Sequence, residues 1–317
     1  MKLVLAPLAG FTDAPFRLMC GEGGADLTYT EMVSAAGLAH GSSPTRHLME
    51  KLPGEVPLAC QIFGSKEAEV AYAAKVASET GRFCELNLNA GCPMQKVTRE
   101  GAGAKLIEDP RKIGALLKAM AENTDLPVTL KTRLGPHPEK TNIFEIAEEA
   151  AAAGAKGLIV HARYTSQMHG GQTHLDTLAE LVRSTALPVI GNGSVTNASE
   201  LSAMAETGVK AVMIGRAALS RPSIFAELKG GSMAPVSKIE ECKRHLKYIL
   251  AFREQLCAAY PHDHVPSEDG FASVKMHTHL FRYFNGRPGA AAIRARLNTV
   301  RTLAEIKEII ANEESND

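Results

Sequence analysis

A cysteine stands between glycine and proline in the stretch LNLNAGCPMQKV, residues 86–97. The apolar run before it is typical of a β-strand, and Gly91 and Pro93 predict a loop where that strand ends. A cysteine with a purely structural role usually lies inside an element, where it packs as a small hydrophobic residue. A thiol with an ordinary pKa of about 8.5 is mostly protonated at neutral pH. Cys92 is therefore a candidate proton donor or, once deprotonated, a candidate nucleophile.

Polar side chains end most of the other strand-like runs as well. They are Gln61, Asn87, Asn89, Lys131, Arg133, His161, Arg163 and Asn192. Taken alone, each could equally serve a structural hydrogen bond, because buried polar groups need partners. Their shared position at the ends of strands predicts that they face one site.

Two glycine-containing segments, GNGSV at 191–195 and GRAAL at 215–219, follow the last two strand-like runs. Backbone N–H groups beside a helix start bind phosphate, and the planar guanidinium of Arg216 suits the same group. The alternative is that these glycines only form tight turns. The pairing of the two segments favours a phosphate site.

A ligand held there by its phosphate would extend across the site toward Gln61, Asn89, Lys131 and Cys92. Flavin mononucleotide (FMN) has the length and polarity for that span. Lys131 would stabilise negative charge near the N1 and O2 edge of the flavin, and Gln61 would bond its pyrimidine rim. Cys92 would then face the substrate, where a protonated thiol suits the addition of a proton beside a hydride.

The elements that position these residues are predicted from alternating strand-like and helix-like segments. Eight short apolar runs begin near residues 3, 26, 57, 84, 127, 157, 187 and 210, and segments rich in Ala, Glu, Leu and Lys separate them. This alternation predicts a (β/α)8 TIM barrel, with the working face at the carboxyl ends of the strands. A doubly wound open sheet would use fewer strands and usually a GxGxxG turn after the first, where this chain has APLAGFTDAPF.

The alternation ends near Ser237, and helical periodicity follows over residues 238–260, 274–285, 290–301 and 303–313. The segment KGGSMAPVS at 229–237 is typical of a linker. We therefore expect a barrel domain over residues 1–235 and a smaller all-helical domain over residues 236–317.

Composition and the N-terminal segment predict a soluble, cytoplasmic protein, and the alternation of strands and helices places it in the α/β class. Of the 317 residues 45% are hydrophobic, no apolar run is long enough to span a membrane, and the formal net charge is zero. The early Pro7 and Gly10 argue against a secretory signal. Six scattered cysteines without CxxC pairs predict neither a disulfide framework nor a metal site. No obligate protein partner is indicated.

Eight motifs in the barrel region resemble, in order and spacing, those of the tRNA-dihydrouridine synthases. They are LAPLAGFTDAPFR, DLTYTEMVSA, NLNAGCPMQKV, GAGAKLI, VTLKTRLG, VHAR, VIGNGSV and VMIGRAAL. The later stretch KMHTHLFRYFNGRPGAAAIRARLNTVRTL resembles the C-terminal helical domain of that family. The resemblance covers nearly the whole chain.

The resemblance implies an FMN enzyme that reduces the C5–C6 double bond of a uridine in tRNA, with NADPH re-reducing the flavin. Cys92 would deliver a proton to C5 while hydride passes from flavin N5 to C6. The substrate would be bound by Asn89, Arg163 and His169. The flavin ring would lie against Pro7, Leu8, Gln61, Lys131 and His161. The ribityl phosphate would be bound by Asn192, Gly193, Ser194, Gly215 and Arg216.

The chain departs from the common pattern of the family at four positions. Asn87 stands where many members have an acidic residue, and Ala162 stands where glycine is usual. His169 and Leu175 take places where the family often has tyrosine and tryptophan. These changes concern the substrate side of the barrel mouth, the open end formed by the carboxyl ends of the strands. The uridine position and the subgroup are therefore not assigned.

A stretch from Gly270 to Ala304 contains no acidic residue and interleaves basic with aromatic side chains. Such a surface can neutralise phosphates and stack bases. The residues predicted to bind RNA are Lys275, Arg282, Arg287, Arg294 and Arg296. A solvated basic helix face over buried aromatics is the simpler explanation of the same pattern.

Two other functions fit parts of the sequence. An FMN-dependent barrel oxidoreductase acting on a small pyrimidine or another enone-like substrate would explain the flavin residues but not the helical domain. A non-catalytic RNA-binding protein would explain the helical domain but not Cys92, Lys131 and the phosphate segments.

Overall fold

The computed structural model describes residues 1–231, 236–284 and 290–314. In this part of the chain the strands form one parallel sheet. They are β1 (Lys2–Leu5), β2 (Thr28–Tyr29), β3 (Val33–Ser34), β4 (Leu58–Phe63), β5 (Glu85–Ala90), β6 (Val128–Arg133), β7 (Leu158–His161), β8 (Val189–Asn192) and β9 (Ala211–Ile214). Their order is β1-β9-β8-β7-β6-β5-β4-β2, with β3 also on β4.

The sheet closes on itself between its first and last strands. Val4 of β1 forms a parallel bridge with Leu27, and the amide of Leu5 donates to the carbonyl of Leu27 at 2.9 Å. The TIM barrel predicted from the sequence is therefore confirmed. Each of the eight predicted strand segments contains an observed strand, and the short β3 is an addition that the sequence pattern did not indicate.

Helices cover the outside of the barrel and form the C-terminal region. They are α1 (Ala14–Glu22), α2 (Ala35–Ala39), α3 (Ser43–His47), α4 (Glu67–Glu79), α5 (Gln95–Thr98), α6 (Pro110–Ala121), α7 (Ile143–Ala152), α8 (Leu175–Ser184), α9 (Ala198–Glu206), α10 (Ile224–Leu228), α11 (Lys238–Ala259), α12 (Glu268–Tyr283), α13 (Ala290–Leu297) and α14 (Leu303–Glu314).

Side-chain alternation along the strands separates the two faces of the barrel wall. In β5, Leu86 and Leu88 are fully buried against the outer helices. Asn87 and Asn89 point into the barrel, where they meet neighbours on β4 and β6. Because successive residues of a strand face opposite sides, one short sequence supplies both the core and the polar interior.

Two helices of the C-terminal region differ from their predicted bounds. α12 begins at Glu268, six residues before the predicted Val274, because Ser267 caps it by accepting a hydrogen bond from the amide of Gly270 at 3.3 Å. Acidic Glu268 and Asp269 also suit the positive end of a helix. α13 ends at Leu297, four residues before the predicted Arg301.

The C-terminal helices pack on one another and on α1 of the barrel. Their apolar core contains residues of α11, α12, α13 and α14, and Ala14 and Leu18 of α1 belong to the same cluster. The predicted boundary at 235/236 adjoins residues 232–235, which lie outside the described residues. The division into two domains remains a prediction.

A buried charged cluster joins α1 to the helical region. The amino group of Lys275 lies 3.2 Å from Asp13 and 3.9 Å from Glu31. His245 and His279 lie beside Asp13, with one ligand-type atom of each of the three residues within 4.8 Å of the others. Burial raises the pKa of Asp13, but Lys275 and the two imidazoles outweigh it and the pKa lies below its usual value. The charge of Asp13 is thus balanced by a lysine.

Within the described ranges, no helix is both long and apolar enough to cross a membrane.

Candidate active site

A cavity of about 690 Å³ opens at the carboxyl end of the barrel strands. Every residue that the sequence assigned to catalysis, substrate or cofactor lines it, except Arg163. The volume lies in the range of sites for cofactors and small ligands. The strand-end residues therefore come together as expected from the barrel.

The loop that carries Cys92 is fixed by hydrogen bonds on both sides. The side-chain oxygen of Asn89 accepts from the amides of Gly91 and Cys92, at 3.1 and 3.0 Å. The guanidinium of Arg133 donates to the carbonyl of Gly91 at 2.8 Å, and the amide of Ala104 donates to the carbonyl of Cys92 at 2.9 Å. Cys92 is thus presented to the cavity on a backbone with defined partners.

The backbone requires glycine at Gly103, the second glycine of the GAGAKLI motif. Its φ of +60° lies in the left-handed region, and a Cβ there would lie 2.6 Å from the carbonyl oxygen of Cys92. Only glycine permits this approach without a shift of the backbone. The motif therefore packs against the backbone of the Cys92 loop.

Burial raises the pKa of the Cys92 thiol above its usual value, although Arg133 and Lys131 act in the opposite direction. The thiol is therefore protonated at neutral pH. A protonated thiol facing a cavity can donate a proton, and its nucleophilic thiolate form is rare. The sequence left both roles open, and the electrostatics favour the acid.

The cavity carries an excess of positive charge. Among the described residues, those lining it include Lys131, Arg133, Arg216 and Arg282 and no carboxylate. Burial and the nearby Arg133 lower the pKa of Lys131 to about 7, and its amino group donates to the side-chain oxygen of Asn192 at 3.2 Å. Cations that lack acidic partners in a cleft indicate an anionic ligand.

His161 is held in the neutral form. Burial lowers its pKa far below the usual value, and Lys131, Arg133 and Arg163 lower it further. Arg163 Nη1 lies 3.2 Å from His161 Nε2, so that nitrogen accepts a hydrogen bond. The imidazole contributes a hydrogen-bonding surface rather than a charge.

The segment after β8 is a candidate anion-binding turn. Gly193 and Ser194 have successive positive φ values of +135° and +53°. A Cβ on Gly193 would lie 3.0 Å from Thr173 and 3.2 Å from the ring of His161. Successive backbone N–H groups in a turn can form a concave site for an anion.

Three arginines anchor the loop that follows β7 across the mouth. Arg133 donates to the carbonyl of Met168 at 2.7 Å, and Arg216 donates to the carbonyl of His169 at 3.0 Å. Arg163 donates to the carbonyl of Gly171 at 2.8 Å and to the hydroxyl of Ser194 at 2.6 Å. Arg163 is buried by these contacts and connects the loop to the anion-binding turn instead of lining the cavity.

Sequence reasoning did not assign several lining residues, among them Phe11, Met32 and Met94. Phe11 lies in the AGFTDAPF segment directly after Leu8, so its position beyond β1 was the available signal. Met32 contacts the side-chain nitrogen of Asn89 at 3.0 Å. Apolar residues at a strand end carry no chemical signature, and only the fold identifies them.

The predicted RNA-binding residues occupy different environments. Arg282 lines the edge of the cavity, with its guanidinium carbon 5.9 Å from the centre of the Phe11 ring. Arg294 is exposed on α13, and Arg296 pairs with Glu308 at 3.1 Å. Lys275 differs from the expectation because its ammonium is engaged with Asp13 between the barrel and α12. Arg287 lies outside the described residues.

Comparison with known proteins supports one assignment. The family model "Dihydrouridine synthase (Dus)" matches residues 4–316. A tRNA-dihydrouridine synthase B of Klebsiella pneumoniae is 37% identical over 263 residues, which cover 80% of this chain and 82% of that protein. A tRNA-dihydrouridine synthase B of Pseudomonas putida is 35% identical over 306 residues, 94% of this chain and 87% of that protein.

The structure of morphinone reductase is similar with a TM-score of 0.52 at 14% identity, over 73% of this chain and 86% of that chain. At this identity the similarity concerns the barrel fold alone. The match of the family model along nearly the whole chain, and relatives identical to it at 35% and 37% of the aligned positions, are much stronger evidence. On this evidence the chain with the Cys92 loop and the cationic barrel mouth belongs to the dihydrouridine synthase family.

Proposed function

We propose that this protein is a tRNA-dihydrouridine synthase. It reduces the C5–C6 double bond of a uridine in tRNA to 5,6-dihydrouridine, with FMN as its bound flavin and NADPH as the electron donor. Its relatives, which are named tRNA-dihydrouridine synthase B, support the reaction and the tRNA substrate. The observation that carries the proposal in this chain is a protonated thiol, Cys92, facing a cavity rich in unpaired cations.

The residues of the cavity fit FMN. The dianionic phosphate suits the turn at Gly193 and Ser194, whose neighbour Arg216 supplies a guanidinium fork. Asn192 and Gly215 would complete this end. A Cβ on Gly193 would crowd Thr173 and His161, so glycine at this position lets the turn pack against both side chains.

The flavin ring would lie between the strand-end residues on the other side of the cavity. Pro7 and Leu8 offer apolar contact, and Gln61, Lys131 and His161 offer polar groups. Lys131 has a pKa of about 7 in the ligand-free cavity, and an anionic ligand would favour its charged form. Reduced FMN, when bound, supplies hydride for C6 of the uracil.

The protein supplies the proton. Burial keeps the Cys92 thiol protonated at neutral pH, so it can protonate C5 of the uracil on the face that it reaches. Asn89 holds the backbone of the loop through the amides of Gly91 and Cys92. We therefore assign Asn89 to positioning of the acid beside the uracil.

The other two predicted substrate residues have separate tasks in this proposal. His169 lines the cavity and would contact the uridine. Arg163 is buried with its guanidinium on Gly171 and Ser194. Arg163 would therefore shape the substrate loop without touching the base.

The tRNA would be bound by exposed arginines of the helical region. Arg282 lies at the edge of the cavity against Phe11, and it would contact a phosphate next to the uridine. Arg294 and Arg296 on α13 would add further basic contacts. Lys275 is left out of this surface because it balances Asp13 in the interface.

The test uses tRNA that lacks dihydrouridine, incubated with the purified protein, FMN and NADPH. Nucleosides are then analysed by mass spectrometry for uridine that has gained two hydrogens. We expect this product from the wild type and its loss in Cys92→Ala. Cys84→Ala is the matched control, because Cys84 is an exposed cysteine outside the cavity.

Two results would reject the proposal. A protein that binds FMN and oxidises NADPH but leaves tRNA unchanged, while reducing free uridine or orotate, would be an oxidoreductase for small pyrimidines. A protein that binds tRNA without binding FMN would be an RNA-binding protein on a barrel scaffold. Parallel reactions with NADH test the choice of electron donor.

A further inference from the structure

A continuous chain of side-chain hydrogen bonds runs through the interior of the barrel. It begins at the mouth, where Asn89 Nδ2 donates to Gln61 Oε1 at 2.8 Å. Gln61 Nε2 donates to Asn87 Oδ1 at 2.7 Å, and Asn87 Nδ2 donates to Thr129 Oγ1 at 2.8 Å. All four residues are buried, so water does not compete for these groups.

The chain of hydrogen bonds ends on a carboxylate away from the mouth. Thr129 Oγ1 donates to Glu85 Oε1 at 2.7 Å, and the hydroxyl of Tyr29 donates to the same oxygen at 2.6 Å. Glu85 is the first residue of β5 and Asn89 the fifth, so about 13 Å separate them at about 3.3 Å per residue. Glu85 and Thr129 are not among the residues that line the cavity.

The direction of the chain is fixed at both ends. At the mouth, the amides of Gly91 and Cys92 can only donate, so they require the oxygen of Asn89 and turn its nitrogen toward Gln61. At the other end, burial raises the pKa of Glu85, whereas the hydroxyls of Tyr29 and Thr129 act in the opposite direction. Glu85 Oε1 accepts from both hydroxyls, so it directs the hydroxyl of Thr129 toward itself. Each amide between them can form both bonds in only one orientation.

We propose that Glu85 and Thr129 are positioning residues for the reaction, because they fix the orientation of the Asn87 amide and, through it, support that of the Gln61 amide, whose oxygen accepts from Asn89. The inference rests on the proposed function, in which Gln61 faces the flavin and Cys92 is the acid. Asn87 can accept or donate on either side and cannot set the direction by itself. The direction at Asn87 therefore comes from Glu85 through Thr129, while the amides of Gly91 and Cys92 orient Asn89 from the mouth.

Without the Thr129 hydroxyl, the chain of hydrogen bonds has two possible arrangements, and both are unfavourable. Either Asn87 Nδ2 remains buried without an acceptor, or the Asn87 amide turns and its nitrogen opposes that of Gln61. In the second case Gln61 must turn as well, and its nitrogen then faces the nitrogen of Asn89. The first choice destabilises the interior next to Gln61, and the second reorients Gln61 and opposes Asn89, the two residues next to the proposed flavin and acid.

The experiment compares Thr129→Val, which keeps the shape of the side chain, with Thr28→Val. Thr28 is also fully buried in the barrel, and its hydroxyl has no partner in the described structure. The readouts are the FMN dissociation constant, the visible absorption spectrum of bound FMN, the melting temperature, and kcat and KM with tRNA. Glu85→Leu removes the same interaction from the other side, should Thr129→Val fold poorly.

For Thr129→Val and Glu85→Leu we expect the FMN dissociation constant to rise at least about fivefold, the flavin band to shift, and kcat to fall about tenfold, with KM for tRNA within about twofold. Thr129→Ser restores the hydroxyl and should restore all readouts. Thr28→Val should leave FMN binding and kcat unchanged.

A suppressor separates orientation from packing. Asn87→Asp places an obligate acceptor opposite Gln61 Nε2, so the chain above it no longer depends on Thr129. In the Thr129→Val background, Asn87→Asp should recover FMN affinity and kcat even if the melting temperature falls further. A role in packing alone predicts no such recovery.

The inference is overturned if Thr129→Val matches Thr28→Val in FMN affinity, spectrum and kcat, or if Asn87→Asp does not rescue it. Failure of the proposed function has a different result, because the wild type would then bind no FMN or leave tRNA unreduced. The wild-type measurements distinguish the two failures.

Discussion

Lys131→Met should make the flavin-free protein more stable, and more so at pH 6 than at pH 9. The amino group lies at the barrel mouth, and burial together with Arg133 lowers its pKa from 10.5 to about 7. The unfolded chain keeps this proton up to about pH 10.5, whereas the folded protein loses it near pH 7. Between these values the unfolded state binds the extra proton, so wild-type stability rises with pH.

The size of the effect follows from the two pKa values. The difference between 10.5 and about 7 corresponds to about 5 kcal/mol at pH 6, an upper bound because the amino group faces the cavity. At pH 9 the remaining penalty is about 2 kcal/mol, since only the interval from pH 9 to the unfolded pKa still counts. The advantage of Lys131→Met over the wild type should thus shrink by up to about 3 kcal/mol between pH 6 and pH 9.

The assay is urea unfolding of flavin-free protein at pH 6, 7.5 and 9, followed by circular dichroism, with the difference between variant and wild type plotted against pH. The control is Lys118→Met on α6, where the side chain is 68% exposed. We expect its difference from the wild type to be independent of pH. A Lys131→Met variant that is less stable than the wild type, or whose difference does not change with pH, would refute the reasoning.

Three further predictions concern other parts of the molecule. Glu55→Leu leaves the guanidinium of Arg17 buried without the carboxylate that lies 2.8 Å away. The free energy of unfolding in urea should therefore fall by about 3–5 kcal/mol, and the double variant with Arg17→Met should recover most of this loss. Gly193→Ala places a methyl group 3.0 Å from Thr173 at a φ of +135°, so fluorescence titration should show FMN affinity lowered about tenfold, and unchanged affinity would remove this turn from the flavin site. Arg282→Ala should weaken tRNA binding and lower its salt slope by about one without changing FMN content, and an unaltered slope in filter binding would exclude a phosphate contact there.

The strands and the barrel were predictable because their signals are local. The eight predicted strand segments each contain a strand, and the residues at their carboxyl ends meet in one cavity. β3 was missed because Val33 and Ser34 are too few to form a recognisable run. The start of α12 was placed too late because its first turn, Glu268 to Phe271, resembles a polar loop until the Ser267 cap is seen.

In the candidate site, too, some residues could be predicted from the sequence and others could not. Cys92, Lys131 and Arg216 could be named from residue type and position at strand ends. The partners of Arg163 could not, because Gly171 and Ser194 approach it only when the loop after β7 folds back over the mouth. Lys275 was grouped with RNA-binding residues by its basic neighbours, but its nearest charge, Asp13, lies 262 positions earlier in the chain.

The order of strands and helices, the family and the types of chemical group at the barrel mouth could be predicted from the sequence, because periodicity and motifs depend on neighbours in the chain. The protonation and orientation of those groups arise only in the folded protein. Burial sets the pKa of Lys131 and Cys92, and the hydrogen bonds from Glu85 to Asn89 set the direction of the interior amides. Both depend on residues distant in sequence, because desolvation and hydrogen-bond geometry are properties of the folded interior.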